Sequence, residues 1–124
     1  HTILVVDDHA QSREMLCDLL DGFGFESLPA ADAEQALALL QRQAISLVLT
    51  DQTMPGIDGW ELLQRVRRDH PGLPVLLYSS LPPRHPEGFE ALEFNDALLK
   101  PASGKQLLVR ISRLLAVRAL GLSV

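Results

Sequence analysis

The chain has 124 residues, 47% of them apolar, and a formal net charge of −5. That length and apolar share fit one domain with its own core, while the negative balance argues against a nucleic-acid-binding module, which needs a basic face. Cys17 stands alone, so an internal disulfide is excluded and a reducing compartment is expected.

No basic-then-apolar leader opens the sequence and no run of about 18 apolar residues occurs, so a soluble, cytoplasmic domain without membrane contact is expected. The chain begins at His1 rather than Met, which reads as a segment of something longer. Thr2–Val6 is predicted as a buried strand ending at Asp7. His9–Phe23 then repeats Leu16, Leu19, Leu20 and Phe23 at helical spacing, with Gly22 and Gly24 as stop signals. Phe25–Pro29 is a short second strand, at a sheet edge because proline cannot donate to a ladder. Asp32 caps a helix whose face carries Ala33, Ala36, Leu37, Leu40 and Ala44.

Ser46–Thr50 is a third strand, again ending at an aspartate, Asp51. Past a turn at Met54-Pro55-Gly56, a helix from Asp58 turns Leu62, Leu63 and Val66 inward. Pro74–Tyr78 is a fourth strand, followed by Ser79 and Ser80. Pro82, Pro83 and Pro86 cannot lie inside a helix, so the next one is expected to start near Pro86 and run for about two turns before Glu93. Asp96–Leu99 is a fifth strand ending at Lys100, and Ser103 caps a last helix carrying Leu107, Leu108, Ile111, Leu114 and Leu115, stopped by Gly121. The pattern is (βα)₅.

Strands that are apolar throughout, separated by helices, predict an α/β fold with a parallel sheet covered on both sides. Right-handed crossovers restrict it to a doubly wound, five-stranded sheet, whose ligand site lies beyond the carboxyl ends of the strands. The polar residues expected on that rim are Asp7, Asp8, Asp51, Ser79, Ser80 and Lys100.

Three carboxylates brought together repel, at about 4 kcal/mol per pair for ~4 Å and an effective dielectric of about 20. A cation or protonation is therefore needed, and oxygen donors without a sulfur or imidazole cluster favour Mg²⁺ as the cation. His9, a single imidazole at a helix start, reads as a solvated residue and is set aside. Asp51, at the end of the central strand, can attack phosphorus as a carboxylate nucleophile and give an acyl phosphate. Mg²⁺ and Lys100 would neutralise the charge, and Ser79 would donate a hydrogen bond to a phosphate oxygen. Taken singly, a strand-end aspartate is commonly a helix cap and Lys100 a surface lysine; together they argue for a site. A flavin module of the same topology would want a Ser/Thr/Gly-rich loop where Asp7-Asp8-His9 stands, and a haloacid-dehalogenase-like phosphatase would want Asp-x-Asp there.

Val5-Val6-Asp7-Asp8, Leu49-Thr50-Asp51, Met54-Pro55-Gly56, Asp58-Gly59 and Lys100-Pro101 resemble the receiver domain of bacterial response regulators and hybrid histidine kinases. The resemblance runs from Ile3 to Leu115 and implies a single receiver domain over 1–124, core about 3–117, of flavodoxin-like strand order 2-1-3-4-5. It makes Asp51 the phosphoacceptor, Asp8 and Asp51 direct Mg²⁺ ligands, Asp7 a ligand through water and the Thr53 backbone carbonyl a further ligand. Ser79 matches the family's switch hydroxyl, Lys100 its phosphate-sensing lysine, and Lys100-Pro101 its cis peptide. The implied partner is a histidine kinase or histidine phosphotransfer domain. The domain itself is expected to be a monomer that binds no nucleic acid and catalyses at most its own phosphorylation and dephosphorylation. In a hybrid kinase it would be tethered to a membrane-bound sensor.

The sequence departs from that pattern where output is usually signalled. Ala97 stands where receivers carry Tyr or Phe, three residues before the lysine, so the ordinary aromatic rotamer switch is excluded. The proline-rich stretch falls on the same face. Leu81, at a position that with Thr53 tunes phosphoryl lifetime in the family, offers no polar group to orient water and implies slow self-hydrolysis. The reading is a receiver that passes its phosphoryl group onward or serves as a kinase-attached module, with a non-phosphorylated interaction scaffold (a pseudo-receiver) as the alternative.

Overall fold

Each strand expected from the sequence forms in the computed structural model of the chain, which describes residues 1–121. In chain order the elements are β1 (Thr2–Val6), α1 (Ala10–Gly22), β2 (Glu26–Ala30), α2 (Ala33–Arg42), β3 (Leu47–Thr50), α3 (Gly59–Asp69), β4 (Val75–Ser79), β5 (Asp96–Leu99) and α4 (Gly104–Ala119). The strands make one sheet of order β2-β1-β3-β4-β5, and every pair is parallel. The edge position of β2 accommodates Pro29, which has no N–H to give to a second neighbour.

Successive residues of a strand point to opposite faces, and the sheet accordingly separates two apolar layers. Leu4, Val6, Val48 and Val75 pack with α2 and α3 on one face. Ile3, Val5, Leu47, Leu49, Leu76 and Tyr78 pack with α1 and α4 on the other. Each fully buried Leu, Ile or Val contributes roughly 1.5–3 kcal/mol relative to exposure. Three helix starts are fixed by side-chain caps. Asp32 accepts from the Gln35 amide at 2.8 Å, Asp58 accepts from the Trp60 and Glu61 amides at 3.0 Å, and Ser103 and Gln106 form a reciprocal capping box.

The register brings the carboxyl ends of the inner strands level. Val6 lies opposite both Ala30 and Thr50, Thr50 opposite Leu77, and Ser79 opposite Leu99. The residue following each of β1, β3 and β5 therefore meets the others at one rim. Among the described residues no helix is long and apolar enough to cross a membrane.

The helix expected to start near Pro86 does not form, so five strands are accompanied by four helices among the described residues. Residues 81–95 make two isolated turns, Phe89 N–H to Pro86 O and Leu92 N–H to Phe89 O, each 3.0 Å. Prolines at 82, 83 and 86 remove donors, and Gly88 at φ +90° reverses the chain where a helix would continue. Phe89, Leu92 and Phe94 pack against the α2–α3 layer without a helix. Phe23 and Ala44, expected on inward helix faces, are exposed because each lies past the end of its helix.

Candidate functional site

Asp7 is only 2% exposed, and its carboxylate is fully engaged. Oδ1 accepts from the His9 amide at 2.9 Å, and Oδ2 accepts from Ser12 Oγ at 2.8 Å and Lys100 Nζ at 3.0 Å. Arg13 reaches back to the Asp7 carbonyl at 2.8 Å. Burial pushes the Asp7 carboxyl up, yet the bonds from His9, Ser12 and Lys100 together outweigh it and hold the group below its usual range.

Asp51 Oδ1 accepts from the Gln52 amide at 2.7 Å and Oδ2 from Lys100 Nζ at 3.3 Å. Lys100 thus bridges the two carboxylates from the opposite strand, with its ammonium 5.4 Å from the Tyr78 ring centre. Burial alone would push the lysine down, but Asp7 and Asp51 win and hold its ammonium above the usual range. The Lys100–Pro101 peptide is cis.

Asp8 differs from both. Its Oδ1 is buried and is the one buried side-chain polar atom among the described residues without a hydrogen-bond partner. His9 Nδ1 lies 3.3 Å from it on a side chain 76% exposed. Asp7, Asp8 and His9 bring one ligand atom each within 4.8 Å of one another, close enough to share one cation. The orphaned Asp8 oxygen fits such a cation, since an unpaired buried acceptor otherwise costs about 1–3 kcal/mol. The set-aside His9 is solvated as expected, but its ring nitrogen faces the acidic pair.

Ser79 is buried, and its hydroxyl accepts from the Leu81 amide at 3.2 Å. Thr53 is exposed in the loop beyond Asp51. Gly59 has a steric reason to be glycine: a Cβ there would stand 2.2 Å from the Asp51 carbonyl oxygen. The start of α3 is pressed against the end of β3, and Gly59 N–H donates to Gln52 O at 3.0 Å. Of the residues singled out from the sequence, Asp7, Asp51 and Lys100 are thus joined by hydrogen bonds, Asp8 stands beside Asp7 and His9, and Ser79, Ser80 and Thr53 make no bond to this group. Ser12, Arg13 and Tyr78 were not singled out; a hydroxyl one turn into α1 carries no sequence signal of its own. A groove of about 700 Å³, lined among others by Met15, Leu19, Lys100, Pro101 and Gly104, opens beside Asp51.

A family model for the response regulator receiver domain matches residues 3–112. The chain belongs to that family. The receiver is 39% identical over 113 residues to the response regulator protein FleR of Pseudomonas aeruginosa, covering 90% of this chain and 24% of that protein. It is 45% identical over 74 residues to the sensor histidine kinase RcsC of Salmonella typhimurium, covering 60% of this chain and 8% of the kinase. The chain therefore spans a quarter or less of these relatives. A CheY-like receiver domain protein of Methanospirillum hungatei superposes with a TM-score of 0.89 at 25% identity, over 97% of both chains. The expected strand order and receiver class hold, and the domain functions in two-component signal transduction.

Proposed function

We propose that Asp51 is the residue of this receiver that accepts a phosphoryl group, from the phosphohistidine of a histidine kinase or phosphotransfer domain. The observation that carries the reading is the Lys100 ammonium bonded to both Asp7 and Asp51 at the sheet rim. In the transfer, an Asp51 carboxylate oxygen attacks phosphorus, the new P–O bond forms, and the P–N bond breaks with its electron pair returning to the donor imidazole. Lys100 is then free to neutralise the phosphoryl oxygens, and Ser79 to donate to one of them, so positioning and charge do the catalysis.

Asp8, Asp51 and the Thr53 carbonyl would hold Mg²⁺, which when bound neutralises charge on the transferring phosphoryl group. Asp7 would act through water, because both of its oxygens already accept hydrogen bonds from protein groups. The partly apolar groove beside Asp51 would lie next to the reacting atoms and be open to the phosphoryl donor. Mass spectrometry after acetyl phosphate and Mg²⁺ treatment tests the reading. One phosphoryl group, absent in Asp51→Asn, is the expected result; an unlabelled wild-type protein would favour the scaffold reading instead.

A further inference from the structure

The side chain of Gln52, adjacent to Asp51, makes no contact with the acidic cluster and points the other way. It is 8% exposed, and both halves of its amide are used. Its oxygen accepts from Trp60 Nε1 at 3.1 Å and from the Arg84 amide at 2.7 Å. Its nitrogen donates to the carbonyl of Pro82 at 3.2 Å, with that of Leu81 at 3.5 Å. A buried primary amide with its acceptor doubly used and its donors engaged has one orientation, so the side chain moves only if its partners move.

Those partners belong to the segment that replaces the missing helix. Residues 81–84 are tied to Gln52, and the loop continues into His85, whose ring lies 4.5 Å from that of Trp60. Phe94, at the other end of the segment, packs 4.7 Å from the same indole. Leu81 has a second tie, from its amide to Ser79 Oγ. The segment therefore hangs from Ser79 and from Gln52, whose own amide N–H binds Asp51 Oδ1. On the β5 side no comparable lever exists. Ala97 has no side chain to relocate, and Arg110 of α4 clamps the strand through Asp96 Oδ1 at 2.7 Å and Ala97 O at 3.4 Å.

We infer that Gln52 is a positioning residue that transmits the state of Asp51 through Trp60 and Arg84 to residues 81–95, making that segment the output surface of this receiver. The inference rests on Asp51 being the phosphoacceptor. Phosphorylation replaces the single carboxylate charge that holds the Gln52 amide with a bulkier phosphoryl group of nearly two negative charges, and a displacement of that backbone carries the doubly bonded side chain with it.

Beryllofluoride with Mg²⁺ is the probe, followed by ¹⁹F signals of bound fluoride together with the Trp60 indole and Leu81 and Arg84 amide signals. In the unaltered protein, bound fluoride appears and all three protein signals shift. In Gln52→Met, fluoride still binds while the Trp60 and Arg84 shifts are lost. Absence of bound fluoride in the unaltered protein overturns the phosphoacceptor reading and the relay with it. Bound fluoride with an unmoved Trp60 signal, or an equal Trp60 shift in Gln52→Met, overturns the relay alone. Should Gln52→Met lose the fluoride signal, hydrogen exchange of the Trp60 indole and Arg84 amide in the unaltered protein decides. A changed rate on beryllofluoride binding supports the relay, and unchanged rates overturn it.

Discussion

At the rim, Asp7, Asp51 and Lys100 extend from strands that are paired in register, and their position follows from backbone regularity. The 81–95 connection has two isolated turns of its own and depends on the side chains of Gln52, Trp60, Arg67 and Asn95. At its far end Asn95 Oδ1 takes both the Val75 amide, at 2.7 Å, and the Arg67 guanidinium. A site fixed by a ladder tolerates loss of any one neighbour, whereas a segment fixed by a few buried amides is adjustable through each of them. The contrast separates where the chemistry is held rigid from where a change of state can be expressed.

The largest expected effect removes the rim's function without touching its frame: Asp51→Asn should abolish labelling while the melting temperature stays close to wild type. A steric break of the same frame is Gly59→Ala. Its Cβ meets the Asp51 carbonyl, so a destabilisation of about 1–3 kcal/mol is expected in urea unfolding, together with slower phosphorylation. An unchanged midpoint would show that the approach of α3 to β3 is softer than the geometry implies.

Acid titration sharpens the comparison further. Asp7 has its carboxyl held below the usual range, so the stability it contributes is full above the unfolded value near about 3.9 and is lost as pH falls through its lower folded value. Asp7→Asn should therefore flatten the fall in stability below roughly pH 4, whereas substitutions in 81–95 should leave that slope alone. Lys100 mirrors this: held above its usual range, its contribution is full below the unfolded value and is lost only as alkaline pH passes the raised one.

Asp8→Asn should have the smallest effect on the apo fold. Because Lys100 already offsets Asp7 and Asp51, and Asp8 Oδ1 has no hydrogen bond to lose and only the solvated His9 ring beside it, thermal stability without metal should hold or rise slightly while Mg²⁺ affinity falls. Undiminished Mg²⁺ affinity by calorimetric titration would remove Asp8 from the ligand set. At the β5–α4 surface, beryllofluoride should barely shift the amides of residues 106–113 and should induce no dimer in sedimentation, consistent with Ala97 having nothing to move.

Most of the rim was legible in advance because an apolar strand followed by a charged residue has one sensible arrangement in a covered parallel sheet. Asp7, Asp51 and Lys100 announce themselves at strand ends, and Asp32, Asp58 and Ser103 announce helix starts. The 81–95 segment was legible only in part. Its prolines pointed to a shortened helix, but not to Gly88 at positive φ breaking even those two turns, nor to His85 and Phe94 packing on Trp60. Gln52 left no trace in the sequence, since nothing local links positions 52, 60 and 84. His9 was legible as the imidazole next to the acidic pair, but the turn of its ring nitrogen towards Asp8 was not, depending on how the first turn of α1 leaves β1.

The sheet itself carries a consequence for traffic around the molecule. The groove beside Asp51 belongs to the α1–α4 layer, whereas Phe89, Leu92 and Phe94 lie on the α2–α3 layer. A phosphoryl donor and a reader of the 81–95 segment would approach from opposite faces of a sheet one strand-layer thick. On the proposed reading the two surfaces are distinct and adjoin at the rim, where Ser80 of the groove precedes Leu81 of the segment, so a reader need not displace the donor to reach residues 81–95.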